Sequence, residues 1–160
     1  MGYKNFLIPL DGSALAEQAI EYACDLANPD TKIHLVSVVT EDLPKGLAEL
    51  GMLLGSTVVT NVQPSSDIVA EAAEQRRQYL EGVAKRLREQ EFQVEAQVLF
   101  GQAARTISAS ASEGIDLIVM ASHGRTGINK FILGSVAEGV LKSAPCPLLI
   151  IPARAVQYTY

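Results

Sequence analysis

Five short apolar runs, separated by stretches with helical spacing, constrain this 160-residue chain more than any other feature. They cover residues 5–10, 32–39, 94–100, 115–121 and 147–151. Each is too short for an ordinary helix, rich in Val, Ile and Leu, and bounded by Gly, Pro or polar residues. Such runs read as strands buried on both faces. The third, Val94-Glu95-Ala96-Gln97-Val98-Leu99-Phe100, alternates at its start, as a strand with one wetter face does.

The intervals carry a different period. Leu15, Ala16, Ala19, Ile20, Ala23, Leu26 and Ala27 form an amphipathic helical stripe. Ser13 suits its N-cap, and Asn28-Pro29-Asp30 stops it. Residues 66–90 predict a longer helix, with Ile68, Ala72, Tyr79, Leu80, Val83 and Leu87 inward. Residues 103–112 predict a third helix. Residues 135–143 predict a fourth, with Val136, Val140 and Leu141 inward and Ser143-Ala144-Pro145 ending it. The order βαβαβαβαβ implies parallel strands, right-handed crossovers and helices on both faces: a three-layer α/β/α, Rossmann-like open sheet. In such sheets ligands bind beyond the carboxyl ends of the strands. That rule singles out Pro9-Leu10-Asp11, Val38-Val39-Thr40 and the stretch after Ala121.

Residues 41–65 fit less simply. They hold Leu47, Leu50, Met52, Leu53, Leu54, Val58 and Val59 among Gly46, Gly51 and Gly55, and the segment is long for a loop. It reads as a lid, a short extra helix or a partner surface. Residues 1–153 are expected to form a single domain, with 154–160 as a tail.

Composition narrows the function. No apolar run approaches the roughly 18 residues of a membrane span, and the opening Phe6-Leu7-Ile8 is too short for a secretory segment. A cytoplasmic protein is therefore expected. The formal net charge of −5 provides no bulk attraction for nucleic acid or anionic lipid, although a local basic patch can still hold one phosphate chain. Cys24 and Cys146 lack Cys-x-x-Cys spacing and read as reduced core residues. With His34 and His123 they make no zinc-finger pattern.

The chemistry concentrates after the fourth run, in Ala121-Ser122-His123-Gly124-Arg125-Thr126-Gly127-Ile128-Asn129-Lys130-Phe131-Ile132-Leu133-Gly134-Ser135. Gly124 and Gly134 let backbone amides approach phosphate oxygens. The fourth helix aims its free N–H groups and the positive end of its dipole at the same place. Ser135 adds a hydroxyl, and Arg125 and Lys130 add positive charge to an acidic chain. A plain turn with a helix cap would use the same glycines.

This loop and nearly the whole chain resemble the universal stress protein family. In its ATP-binding members a signature G-x2-G-x9-G-[ST] marks the site; here Gly124 and Gly134 have nine residues between them and Ser135 follows. The resemblance extends to Ile8-Pro9-Leu10-Asp11-Gly12-Ser13, to Asp116-Leu117-Ile118-Val119-Met120 leading into the loop, and to Ala144-Pro145-Cys146-Pro147-Leu148-Leu149-Ile150-Ile151-Pro152. The signature's first glycine is Ala121 here, a small change if that residue keeps a β conformation. The resemblance implies strand order 3-2-1-4-5, an adenine nucleotide alpha hydrolase-like arrangement. It implies ATP as ligand, with Mg²⁺ or Mn²⁺ arriving on the phosphates. Asp11 would contact the ribose hydroxyls, the alternative being a cap on the first helix beside Ser13. The Val38 backbone would read adenine. Gly124, Arg125, Gly134, Ser135 and Val136 would hold the phosphates, with Pro9, Leu10, Met120, Ala121, Ser122, His123 and Gly127 completing the site. It also implies a homodimer through the last strand, from Leu148 to Ile151, and a protein partner the sequence does not name.

Other nucleotide motifs do not match. A Walker loop needs Lys where Ser135 stands, and the dinucleotide fingerprint needs more glycines than Asp11-Gly12-Ser13 holds. Ser122 and His123 are sequence neighbours, which suits a nucleophile and its base poorly. His34 reads as a partly exposed, inert strand residue. The mixed charges from Glu74 to Glu89 read as a solvated helix face, with partner docking as the alternative. Asp11 and His123 are the only candidate bases. The sequence thus favours a nucleotide-binding regulatory module with little or no turnover. A slow ATPase or nucleotide transferase is the alternative, as is a dimeric interaction protein that binds AMP, cAMP or no nucleotide.

Overall fold

The computed structural model describes residues 2–40, 66–122 and 133–152. The described elements are β1 (Asn5–Pro9), α1 (Ala14–Leu26), β2 (Lys32–Val39), α2 (Ser66–Arg88), β3 (Gln93–Phe100), α3 (Ala103–Ser110), β4 (Leu117–Ser122), α4 (Ser135–Ser143) and β5 (Leu148–Pro152). Each apolar run became a strand and each stripe a helix, with ends shifted by one or two residues. The segment 41–65, for which a lid, helix or partner surface is expected, and the tail from 154 lie outside the described residues.

The five strands form one sheet in the order β3-β2-β1-β4-β5, and every paired neighbour is parallel. Asp116 ties the start of β1 to β4: its carboxylate accepts from the backbone N–H of Lys4 at 2.8 Å and Asn5 at 3.0 Å. Ser13 caps α1 as its residue type suggests, its hydroxyl oxygen accepting from the Ala16 N–H at 3.1 Å. Beyond α1, the turn into β2 is closed by Thr31, which is buried and whose Oγ1 accepts from the Asn28 N–H at 2.9 Å.

Strand alternation divides the core in two. Phe6, Ile8, Ile33, Leu35, Leu117 and Val119 face α1 and α2, packing on Ala19, Ile20, Leu80, Val83 and Leu87. Leu7, Val36, Ile118 and Met120 face α3 and α4, packing on Ala104, Ile107, Ala137 and Val140. Each fully buried side chain of this size contributes about 1.5–3 kcal/mol. Cys24 and Cys146 are half-buried free thiols, one against each half of the core. Burial pushes both thiols up, helped by Asp25 and Glu21 at Cys24 and by Asp116 at Cys146.

The helical stripes proved narrower than their periodicity suggests. Leu26, Ile68 and Leu141, expected inward, are 49%, 62% and 56% exposed. Leu26 and Ile68 sit at or near helix ends. Ala73 and Ala84 take inward places on α2 instead. His34 is engaged rather than inert: its Nδ1 lies 3.3 Å from the Glu95 carboxylate across the β2–β3 pair, and Lys32 pairs with the same carboxylate.

Candidate functional site

The sheet places the site where β1 and β4 lie side by side. The chain leaves β1 for α1 on one face and leaves β4 toward α4 on the other. Connections departing in opposite directions open a crevice between them. A cleft of about 450 Å³ occupies that place, within the roughly 300–1,000 Å³ of ordinary ligand pockets.

Nine of the fourteen residues singled out from sequence line this cleft: Pro9, Leu10 and Asp11 after β1, Val38 on β2, Met120 and Ala121 on β4, and Gly134, Ser135 and Val136 at the start of α4. Ser122 is buried at the end of β4 and is not among the lining residues. His123, Gly124, Arg125 and Gly127, with the cation Lys130, lie outside the described residues. Ala121 is the penultimate residue of β4, so the methyl group in place of the signature's first glycine sits on extended backbone. Val136, expected to pack inward, is partly exposed and lines the cleft.

The cleft also takes residues that sequence reading had not singled out: Leu15, Ala16, Val36, Ala103, Ile107 and Ala137. Val36 stands two residues before Val38, so the two share a strand face. Ala103 and Ile107 are four apart and so lie on one side of α3. Both relations are visible in the sequence, but only the packing of α3 and α4 over β2 and β4 turns them into a pocket wall.

The wall divides chemically. Val36, Val38, Ile107 and Met120 make an apolar side suited to a flat heterocycle. Asp11 and the start of α4 make a polar rim. The first helical hydrogen bond of α4 runs from the Glu138 N–H to the Gly134 carbonyl at 2.9 Å. The amides of Ser135, Val136 and Ala137 precede it, and Gly134 makes no side-chain cap bond. That helix end presents donors and partial positive charge, the combination that receives an anion. Glu138 in the first turn is paired with Lys142 at 2.6 Å, and that hydrogen bond holds its carboxyl below the usual range.

Asp11 is held from two sides. Its Oδ1 accepts from the Ser13 N–H at 2.9 Å and the Ser13 hydroxyl at 2.6 Å, while its carbonyl accepts from Arg76 on α2. Nearby, the Tyr79 hydroxyl donates to Glu17 at 3.1 Å. Burial first, then the Glu17 charge and hydrogen bond, with Asp11 adding to them, push that phenol well above its ordinary value. His34 lies four residues before Val38, about 13 Å back along β2 at strand rise, away from the cleft. Among the described residues no group of three or more His, Cys, Asp or Glu side chains gathers as metal ligands, and no helix is long and apolar enough to cross a membrane.

The fold agrees with what the chain is similar to. A family model described as the universal stress protein family matches residues 2–152. Universal stress protein MJ0531 of Methanocaldococcus jannaschii is 32% identical over 152 residues, covering 93% of this chain and 82% of that protein. MJ0577 of the same organism is 27% identical over 156 residues. Its solved structure superposes with a TM-score of 0.72 over 95% of this chain and 97% of that one, at 25% identity. A universal stress protein family member of Arabidopsis thaliana, At3g01520, solved with AMP bound, shares the fold at a TM-score of 0.60 and 16% identity, over 93% of this chain and 91% of its own.

Proposed function

This chain belongs to the universal stress protein family, and on that premise we propose that its cleft binds an adenine nucleotide, ATP, with little or no turnover. The observation that carries the reading is the composition of the wall. An apolar side, a carboxylate and a helix N-terminus with glycine as its N-cap face one cavity at the β1–β4 junction. Adenine fits between Val36, Val38 and Met120, with the Val38 backbone reading its edge. Asp11 accepts hydrogen bonds from the ribose hydroxyls. The phosphates run toward Gly134, Ser135 and Val136, with Gly124 and Arg125 completing their cradle. A divalent ion, Mg²⁺ or Mn²⁺, arrives with the phosphates.

The output of such a site is a state rather than a product. Nucleotide bridges the loop after β1 and the start of α4, which hang from opposite faces of the sheet, and so links the two layers. A cytoplasmic homodimer joined through β5 then presents that state to a protein partner in a stress response. A monophosphate is the second reading, favoured by the AMP held by the Arabidopsis relative of this fold. AMP or cAMP would fill the apolar side and the ribose position and leave the far rim empty.

Mass spectrometry of the nucleotide released by denaturing freshly purified protein tests the proposal. ATP, ADP or a related adenine nucleotide is expected, and Gly134→Val is expected to lose it while keeping the helical spectrum. Wild-type affinity in both Gly124→Val and Gly134→Val sinks the assignment. Single-turnover hydrolysis that vanishes in Asp11→Ala would make the protein an enzyme instead.

A further inference from the structure

The geometry points to Arg76 of α2 as a positioning residue that sets the Asp11 carboxylate for the ribose hydroxyls of the bound nucleotide. The inference rests on the nucleotide reading above and extends it to a residue that does not line the cleft.

Arg76 lies 65 positions from Asp11 in sequence, yet its Nη1–H donates to the Asp11 carbonyl. Each of the other arginines of α2 has a different partner: Arg77 pairs with Glu74, Arg86 with Glu17 of α1, and Arg88 with Glu81 and the Val94 carbonyl. Arg76 reaches the loop that joins β1 to α1. There Gly12 turns the chain at φ +86°, and a Cβ at Gly12 would lie 3.1 Å from Arg76 Nη1. The guanidinium therefore packs against the turn as well as bonding to it. A left-handed turn of this kind suits glycine and places the next residue, Ser13, where both its N–H and its hydroxyl reach Asp11 Oδ1.

Asp11 is thus clamped at both ends. Arg76 holds its carbonyl and Ser13 holds one carboxylate oxygen. A carboxylate that must accept from two vicinal hydroxyls gains from such fixing, because its orientation is set before the ligand arrives. Without Arg76 the Asp11 peptide loses one of its restraints, and the orientation of the carboxylate it carries shifts. The effect reaches the ligand only through Asp11, so it falls on the ribose hydroxyls and spares the base and the phosphates.

That restriction supplies the test. Dissociation constants for ATP and for 2′,3′-dideoxy-ATP are measured on the full chain in wild type, Arg76→Ala, Arg76→Lys and Arg86→Ala. Wild type is expected to prefer ATP. Arg76→Ala is expected to weaken ATP roughly tenfold, the scale of one hydrogen bond to a charged group, and to leave the dideoxy nucleotide unchanged within about twofold, so the preference collapses. Arg76→Lys, which keeps a donor and the charge, should recover part of it. Arg86→Ala removes the ion pair with Glu17 and controls for a general loosening of α1 on α2; it should keep the wild-type preference whatever its melting temperature. An Arg76→Ala protein that retains the wild-type preference, or loses both nucleotides equally, overturns the inference. If that variant does not fold, Arg76→Lys decides by the same ratio. A wild type that discriminates nothing overturns the ribose assignment itself, and the inference with it, a result distinct from failure of Arg76 alone.

Discussion

The Ser13 hydroxyl makes two bonds of opposite sense: it donates to Asp11 Oδ1 at 2.6 Å and accepts from the Ala16 N–H at 3.1 Å. One oxygen thus caps α1 and steadies the only acidic side chain among the described cleft-lining residues. Ser13→Ala removes both bonds. Loss of the cap should cost about 1 kcal/mol of stability, read by urea unfolding. Nucleotide affinity should fall as well, since the Asp11 carboxylate loses one of the hydrogen bonds that orient it. A variant with a normal cap energy loss but unchanged affinity would separate the two roles.

Gly139 offers a substitution whose sign runs against helix propensity. It sits in the middle of α4, where Ala normally stabilises a helix by about 1 kcal/mol. Here the new methyl would lie 2.5 Å from the Ala104 Cβ of α3, and two methyl carbons cannot approach so closely. Overpacking of that kind costs about 1–3 kcal/mol. Gly139→Ala should therefore lower the melting temperature. Because α4 carries Gly134, Ser135 and Val136, it should also weaken nucleotide binding. A more stable Gly139→Ala would mean that α3 and α4 part without penalty.

His34 predicts how stability depends on acidity. Burial lowers its pKa below 6.5; Glu95 opposes the shift and Lys32 adds to it. The unfolded chain then binds the proton more readily than the folded one. The stabilisation is complete above about pH 7 and is lost as pH falls from 6.5 toward the folded value. Glu95 acts lower down. Its hydrogen bond to Lys32 depresses its pKa from 4.5, so its contribution is lost as pH falls through its folded value. Melting temperatures from pH 8 to 5 should decline in wild type and stay flatter in His34→Gln. Parallel curves would show that His34 is equally basic in both states.

The proposed homodimer can be tested on β5. This strand is at the edge of the sheet, and Leu148, Leu149 and Ile150 are only half buried. An apolar edge strand left uncovered invites association. Replacing Leu149 and Ile150 by Lys should shift sedimentation from dimer to monomer. A wild-type chain that is monomeric at high concentration would remove the dimer from the functional reading.

The layered sheet was legible in the sequence because its strands are short, continuous and apolar, a pattern that burial on both faces demands. Val36 and Val38, or Ala103 and Ile107, share faces by periodicity alone, and Ser13 announces a cap by its chemistry. Of the glycine loop that suggests a phosphate site, Gly134 and Ser135 line the cleft, and Gly124 lies outside the described residues. Sequence could not say which helical apolar residues reach the core. Leu26, Ile68 and Leu141 have the right period and are exposed all the same, and exposure depends on what a neighbouring element covers.

By itself, then, the chain determined its alternation of strands and helices, since that follows from local spacing and residue type. Tertiary structure alone decided that Leu15 and Ala137 line the cleft, that Ala104 stands against Gly139, and that Arg76 grips the Asp11 peptide. Those relationships join residues from separate elements. They exist only once the crossovers have brought the helices onto their faces of the sheet.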